Sequence, residues 1–562
     1  MKQKLFAILL ALVLVLSLTG CAGGGKQSTD ASKPESSAES SKPESESESD
    51  VEPTSLLPYT GDEVTFDYFW FDTGAVFEGK ENLPMVAALQ EKLGNIKLNL
   101  EILSYDDYNT KFPLLLAGGE IPDMMLLGTD PAGVVGTYGQ NGIFLDWNDY
   151  MEQYMPNLYK YSKERGVFKS LQDGEGHQYA LPLNIITEDR VMQNWIANVT
   201  LLEEIGLGIP ETQEQFLEAC RKVKAEKGIV PIQRRDGILA VAGSVGLMYT
   251  SGGDYALQYY PGDGKWAFGP TRDGSEYKEF LTFMHTLWEE GLIDHELNTQ
   301  TEDQVLDYYY AGQFLFTHDY HSRFASYKGD GKTPFEDGAD FTVKIIPAPK
   351  ATASLAKIDM SYDGQIYWGL FSNVKTKNPE LLAACIDLMF SDEVAMIANY
   401  GIEGETYTIG DDGLPYYTDA ISTAYGLYKG EKDMYAFGRW GSPWLRAFGI
   451  SDTRSTRLIE ETPSLYEGVD EIIKLLDEGK CQPQYNYGFP SISVDESAEI
   501  SDILGPVNTY NSECMIKFIT GDMNIETEWD TFIEKLKGYG DMDRVCEILN
   551  SYEMPKYAGN WR

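Results

Sequence analysis

Residues 63–72, EVTFDYFWFD, are dense in aromatic and β-branched types and predict a strand. A helical pattern follows from Pro84 (PMVAALQEKLG), with Gly94 as its stop. Next come a strand (IKLNLEIL), a helix from Tyr108 (YNTKFPLLLAGG) and another strand (IPDMMLLG). This β-α-β-α-β order predicts a parallel sheet with helices on its faces. The alternation continues. TQEQFLEACRKVKAEKG has Thr212 as N-cap and Gly228 as stop, and SEYKEFLTFMHTLWEEG, from Ser275, is a second capped amphipathic helix. ILAVA, QFLFT, FTVKIIPAP and GQIYWGLF predict strands. Asn378 and Pro379 form a cap and first-turn pair for ELLAACIDLMF, and Ser391 repeats that design. The C-terminal region turns helical, ending in TEWDTFIEKLKGYG and MDRVCEILNSYE.

The first fifty-eight residues follow a different pattern. Lys2 and Lys4 precede an apolar run from Leu5 to Leu18, too short for a bilayer span of about 20 residues. A basic start, a short apolar stretch and small residues before a break form a secretory signal. The break, Leu18-Thr19-Gly20-Cys21, resembles the lipobox of bacterial lipoproteins. That resemblance implies cleavage after residue 20, lipidation of the Cys21 sulfur, and residence on the extracellular face of the cell membrane. Residues 22–50 hold no aromatic residue and only Ala as an apolar type. Such a segment buries too little surface to offset its ordering entropy, so 21–58 is expected to be a lipid-linked, disordered tether.

The formal net charge of −43 argues against nucleic acid or an anionic bilayer surface as the main partner. It also disfavours a polyanionic ligand, unless a local basic pocket overrides the average. Five cysteines follow Cys21 and none forms CxxC, which suggests neither a zinc ribbon nor a thioredoxin-type site. Cys220 and Cys385 fall on apolar helical stripes and read as buried thiols, and at most one disulfide is expected.

Enzyme motifs are incomplete. The GKT at 331–333 lacks the earlier glycine of a P-loop, since Ser326 stands there. No HExxH occurs among the five histidines. His318 and His321 read as polar cleft lining beside Asp319 rather than as a metal pair, so no catalytic metal and no cofactor is expected, while a structural calcium stays open. Ala242-Gly243-Ser244-Val245-Gly246 mimics a nucleophile elbow, but no histidine follows His321 to complete it. A glycosidase needs only two carboxylates, and 88 acidic residues leave that alternative open.

Several segments, in order, resemble the family 1 extracellular solute-binding proteins of bacterial ABC importers, in their long lipoprotein branch. They are KFPLLLAGGEIPDMMLL, GIFLDWNDYMEQYMPNL, YALPL, LLEEIGLGIPETQEQF, NPELLAACIDLMFSDE, YGIEGETY, and MIKFITGD with EWDTFIEKLKGYGD. One departure is Gln193-Asn194-Trp195, where relatives often carry a Tyr-Asn-Lys or Arg-x-Asp-Trp sequence. The resemblance implies an α/β, two-lobed, periplasmic-binding-protein-like fold of class II type, with mixed sheets, flanking helices and a helical C-terminal region. It divides the body into 59–183 (first lobe), 184–360 (second lobe), 361–400 (return to the first) and 401–562 (mostly second lobe and terminal helices).

It also implies a monomer that holds a carbohydrate, an oligosaccharide, between its lobes and docks on the transmembrane subunits of an ABC permease without altering the ligand. A peptide or other non-sugar solute on the same scaffold is the alternative. In open α/β sheets ligands gather at the carboxyl ends of strands. Those ends supply Asp72, Thr129, Asp130, Asn184, Ser244, Asp319, Tyr320 and His321 as candidate ligand-binding residues. The resemblance makes Tyr320 a stacking platform, and Trp440 and Trp444, in a Gly- and Pro-broken loop, are further aromatic candidates. Asp72 and Asp130 would serve equally as helix N-caps, and the two tryptophans equally as core plugs.

Overall fold

The computed structural model describes residues 55–418 and 469–554, except 73–83, 128–130, 166, 186–189, 192, 251–255, 261–262, 273, 321–340, 362–365, 401, 406, 412, 414, 486–488 and 491. Cys21, Thr129, Asp130, His321, Trp440 and Trp444 therefore lie outside the described residues.

The first lobe is built on a five-stranded sheet. Strand β1 (Tyr59–Asp72) runs parallel to β2 (Gly94–Ser104) and β3 (Met124–Leu127). The helices between them, Pro84–Leu93 and Tyr105–Gly118, are the crossovers the sequence predicts. Gly94 turns the first helix into β2 with φ of 70°, and a Cβ there would fall 2.3 Å from the Tyr59 carbonyl oxygen. Strand β4 (Ala180–Ile185) completes the sheet from further along the chain, together with β12 (Ile366–Phe371), which pairs antiparallel with both β3 and β4. Every residue of β3 is buried, as expected for a strand covered on both faces. Phe69 stacks on Tyr108 at 5.0 Å, and the Tyr108 hydroxyl donates to the Leu126 carbonyl.

The second lobe has two smaller sheets. In one, β6 (Gln193–Asn198) lies antiparallel between β9 (Phe316–Tyr320) and β10 (Val343–Ile346). In the other, β11 (Ala356–Ser361) runs parallel to β15 (Cys481–Tyr485) and antiparallel to β5 (Arg190–Val191). Two hairpins, β7 with β8 (Leu257–Tyr260, Lys265–Phe268) and β13 with β14 (Tyr407–Ile409, Pro415–Tyr417), complete the described strands. The C-terminal helices Val494–Thr520, Ile525–Tyr539 and Met542–Asn550 send Phe518, Phe532 and Val545 into the same core as Trp195, Phe216 and Phe280.

Local chemistry explains most boundaries. Thr212 caps Gln213–Lys227 through a reciprocal pair with Gln215, and Gly228 ends that helix in the left-handed region. Three expectations need correction. ILAVA is not a strand; it lies inside the helix Gly237–Gly246. A short apolar run carries no period to tell the two apart, and the deciding cap comes from far away, where Asn298 Oδ1 accepts from the Ile238 N–H at 2.9 Å. QFLFT does not end before His318. The strand starts at Phe316 and continues to Tyr320, because Gln193 to Ala197 of β6 supply its ladder partners. Asn378 makes no side-chain cap; it sits at φ of 57° and ψ of 56°, so Pro379 starts its helix alone. Cys220 and Cys385 are buried as expected, and the five described cysteines are free thiols.

Candidate functional site

Two of the chain's passages between the lobes are flanked by paired strands. On one side β4 and β12 pair through Ile185 and Ile366; on the other β5 and β11 pair through Arg190 and Ser361. The sheet edge of the second lobe that adjoins these crossings opens with Gln193, paired with Tyr320 at the end of the β6–β9 ladder.

This edge buries an unusual number of polar groups. Arg235 donates from Nε and Nη2 to the two carboxylate oxygens of Asp319 at 3.0 and 2.8 Å, and the Asp319 side chain is fully buried. Asn194 Oδ1 accepts from the Asp359 backbone N–H at 3.0 Å and its amide donates back to the Asp359 carbonyl at 3.2 Å. That pair ties the two sheets of the second lobe together. Burial pushes the Asp359 carboxyl up to about 7, with Arg234 pulling the other way.

Arg234 is 7% exposed. Its Nη2 donates to Gln193 Oε1 at 2.9 Å, while Nε and Nη1 have no acceptor. His318, also buried, packs edge-on against Trp195 at 5.7 Å, and neither ring nitrogen has a hydrogen-bond partner. Burial first, and then the Arg234 charge, hold the His318 imidazole well below its ordinary range, so it is neutral at pH 7. The chemistry on offer is donation to an oxygen acceptor from a charged group already stripped of water.

The expected residues are distributed unevenly. Asp72 ends β1 opposite Ser104, Asn184 lies within β4, and Tyr320 ends β9. Asp319 is in the ladder and engaged with Arg235. Ser244 is placed by helix Gly237–Gly246, buried, with its hydroxyl donating to the Ala240 carbonyl at 2.8 Å and its own carbonyl accepting from Trp195 Nε1 at 3.2 Å. Gln193, Asn194, Arg234, Arg235 and Asp359 were not anticipated. The readable signal was a doubled arginine (PIQRRDG) in a chain of strong negative charge, and a polar pair opening the apolar strand QNWIAN.

Two open hollows, of about 670 and 660 Å³, lie elsewhere on the second lobe. The first is lined by Trp266, Arg272, Glu276 and Asn550, among others, and the second by Tyr249, Lys278 and Glu526. Among the described residues no group of His, Cys, Asp and Glu is arranged to hold a metal ion, and no helix is long and apolar enough to cross a membrane.

Two α/β cores linked by paired crossings define the class of two-lobed binding proteins. The chain belongs to the bacterial extracellular solute-binding protein family, whose model matches residues 78–396. It is 23% identical over 485 residues to lipoprotein LipO of Bacillus subtilis (strain 168), covering 84% of this chain and 89% of that protein. It is 22% identical over 513 residues to the fructooligosaccharide ABC transporter substrate-binding protein FusA of Streptococcus pneumoniae serotype 4, covering 81% of this chain and 84% of FusA. Among solved structures, the alginate-binding protein AlgQ2 without calcium superposes with a TM-score of 0.67 at 20% identity, over 88% of this chain and 98% of AlgQ2. FusA in complex with kestose gives 0.65 at 17% identity, over 87% and 98%. The family match and these likenesses establish the two-lobed α/β fold and the membership in the bacterial extracellular solute-binding protein family.

Proposed function

We propose that the chain is a lipid-anchored receptor on the extracellular face of the cell membrane. It captures an oligosaccharide between two lobes and delivers it, chemically unchanged, to the transmembrane subunits of an ABC permease. The observation that carries this reading is the pair of adjacent crossings, β4 to β5 and β11 to β12, each joining a strand of one lobe to a strand of the other. Such a junction lets two rigid bodies close by rotating a few backbone dihedrals, and a ligand that touches both favours the closed form by its differential affinity. Relatives that hold kestose or N-glycans support a saccharide as the solute. The LipO relative, with Lys2, Lys4 and the Leu18-to-Cys21 break, supports cleavage after residue 20 and anchoring through Cys21.

In this reading 59–183 with 361–400 form one lobe, and 184–360 with most of 401–562 form the other. Asp72, Asn184 and Tyr320 contribute to the ligand site, joined by Thr129, Asp130, His321, Trp440 and Trp444. Full-length protein screened by thermal shift against mono-, di- and oligosaccharides, uronates and peptides tests it. A saccharide should raise the melting temperature, and Asp72→Ala with Tyr320→Ala should remove that rise while leaving the ligand-free value nearly unchanged. New reducing ends on incubation would make the protein a hydrolase and refute the reading. Cys21→Ser should release the protein from membranes.

A further inference from the structure

Arg234 and Arg235 are neighbours in sequence, and the fold treats them oppositely. Arg235 has a carboxylate, held by two hydrogen bonds. Arg234 has none: among the described residues no carboxylate oxygen lies within ion-pair distance, and its one bond goes to the neutral Gln193 amide. Several buried side chains elsewhere have an unmatched polar atom, among them Trp147, Ser162, Gln178 and Asn511. Of that set Arg234 alone carries a full charge. A guanidinium cannot shed its proton, so a buried one without an anion is unfavourable. A neutral hydroxyl would satisfy one N–H and leave the charge. A carboxylate would take a charge-assisted bond from one of the unmatched donors and cancel the charge.

The surroundings agree. His318 is within electrostatic reach of Arg234, neutral, and unpartnered at both nitrogens, so it can give one hydrogen bond without adding charge. Asp359 feels the Arg234 charge without a hydrogen bond or ion pair between them, and its own backbone is held by Asn194. For a chain of net charge −43, an anionic ligand needs a local positive charge, and with Arg235 neutralised by Asp319 it is Arg234 beside the crossings that provides it.

We infer that Arg234, with His318 beside it, is a subsite for a carboxylate on the bound saccharide, so that the solute belongs to the uronate-containing oligosaccharides. This rests on the reading of the chain as a saccharide receptor. The test titrates full-length protein by calorimetry with trimers of galacturonate, mannuronate and guluronate, each beside its carboxyl-reduced counterpart, and with kestose as a neutral saccharide. At least one uronate trimer should bind more tightly than its reduced form. Arg234→Gln should weaken that trimer about tenfold or more and change binding of the reduced form far less, with Arg234→Lys in between. Circular dichroism confirms that the variants are folded. Equal affinity for a trimer and its reduced form, or an Arg234→Gln variant that binds the uronate as well as the parent, overturns the subsite. Kestose binding that is unaffected by Arg234→Gln, with no uronate bound, overturns the subsite and leaves the saccharide reading standing. No saccharide bound at all overturns both.

Discussion

The two lobes bury polar groups on different terms. In the first, the buried carboxylate of Asp387 accepts from the Leu158 N–H at 2.8 Å and the Asn157 amide at 2.9 Å, fixing the start of the helix Pro156–Arg165. Its remaining unmatched atoms, on Trp147, Ser162, Gln178 and Ser372, are neutral. In the second, the edge beside the crossings buries Asn194, Arg234, His318 and Asp319 within a few residues of each other in the β6–β9 ladder and the preceding loop. There a full charge is left without a counter-ion. The first pattern stabilises a scaffold. The second stores binding potential, which is where stability is given up in functional sites.

Breaking the Arg235–Asp319 ion pair at that edge should have the largest effect. Asp319→Ala leaves the Arg235 guanidinium, 11% exposed, without its carboxylate, and should lower stability by about 3–5 kcal/mol in denaturant titration. Phe69→Ala in the first lobe empties a fully buried ring site and should cost a similar 3–5 kcal/mol, through a cavity rather than a charge. Salt separates the two, since only the Asp319 effect has an electrostatic part to screen.

A pH series sharpens the contrast. Burial raises the Asp387 carboxyl to about 6, against an ordinary value of about 3.9 in the unfolded chain. The folded state therefore binds the proton more tightly. The stabilisation is fully present below pH 4 and is lost as pH rises through 6. Asp387→Asn should remove that decline, so its stability relative to the parent rises across this window. The smallest effect belongs to Arg234→Met in the absence of ligand. Removing an unmatched buried charge should leave stability unchanged or raise it by about 1 kcal/mol, the opposite sign to Asp319→Ala.

How far the sequence reached follows the same divide. The strands and crossovers of the first lobe are local: aromatic strands, capped helices and Gly94 at a turn each declare themselves within a dozen residues. The site edge is not local. Arg234 matters because β6, β9 and the loop before helix Gly237–Gly246 converge, from residues 193, 320 and 234. No periodicity encodes that convergence. The helix itself was misread as a strand because its cap, Asn298, lies about sixty residues away. The strand-end rule brought attention to Asp319 and Tyr320 but gave no sign of the arginine that the fold pairs with Asp319.

The central claim, that a solute is held at the crossings, is tested most directly by hydrogen-exchange mass spectrometry of the full-length chain with and without a saccharide that binds. Protection should concentrate in 190–198, 231–236, 316–320 and 356–371. Protection confined to the hollow around Trp266, Arg272 and Glu276 instead would contradict it.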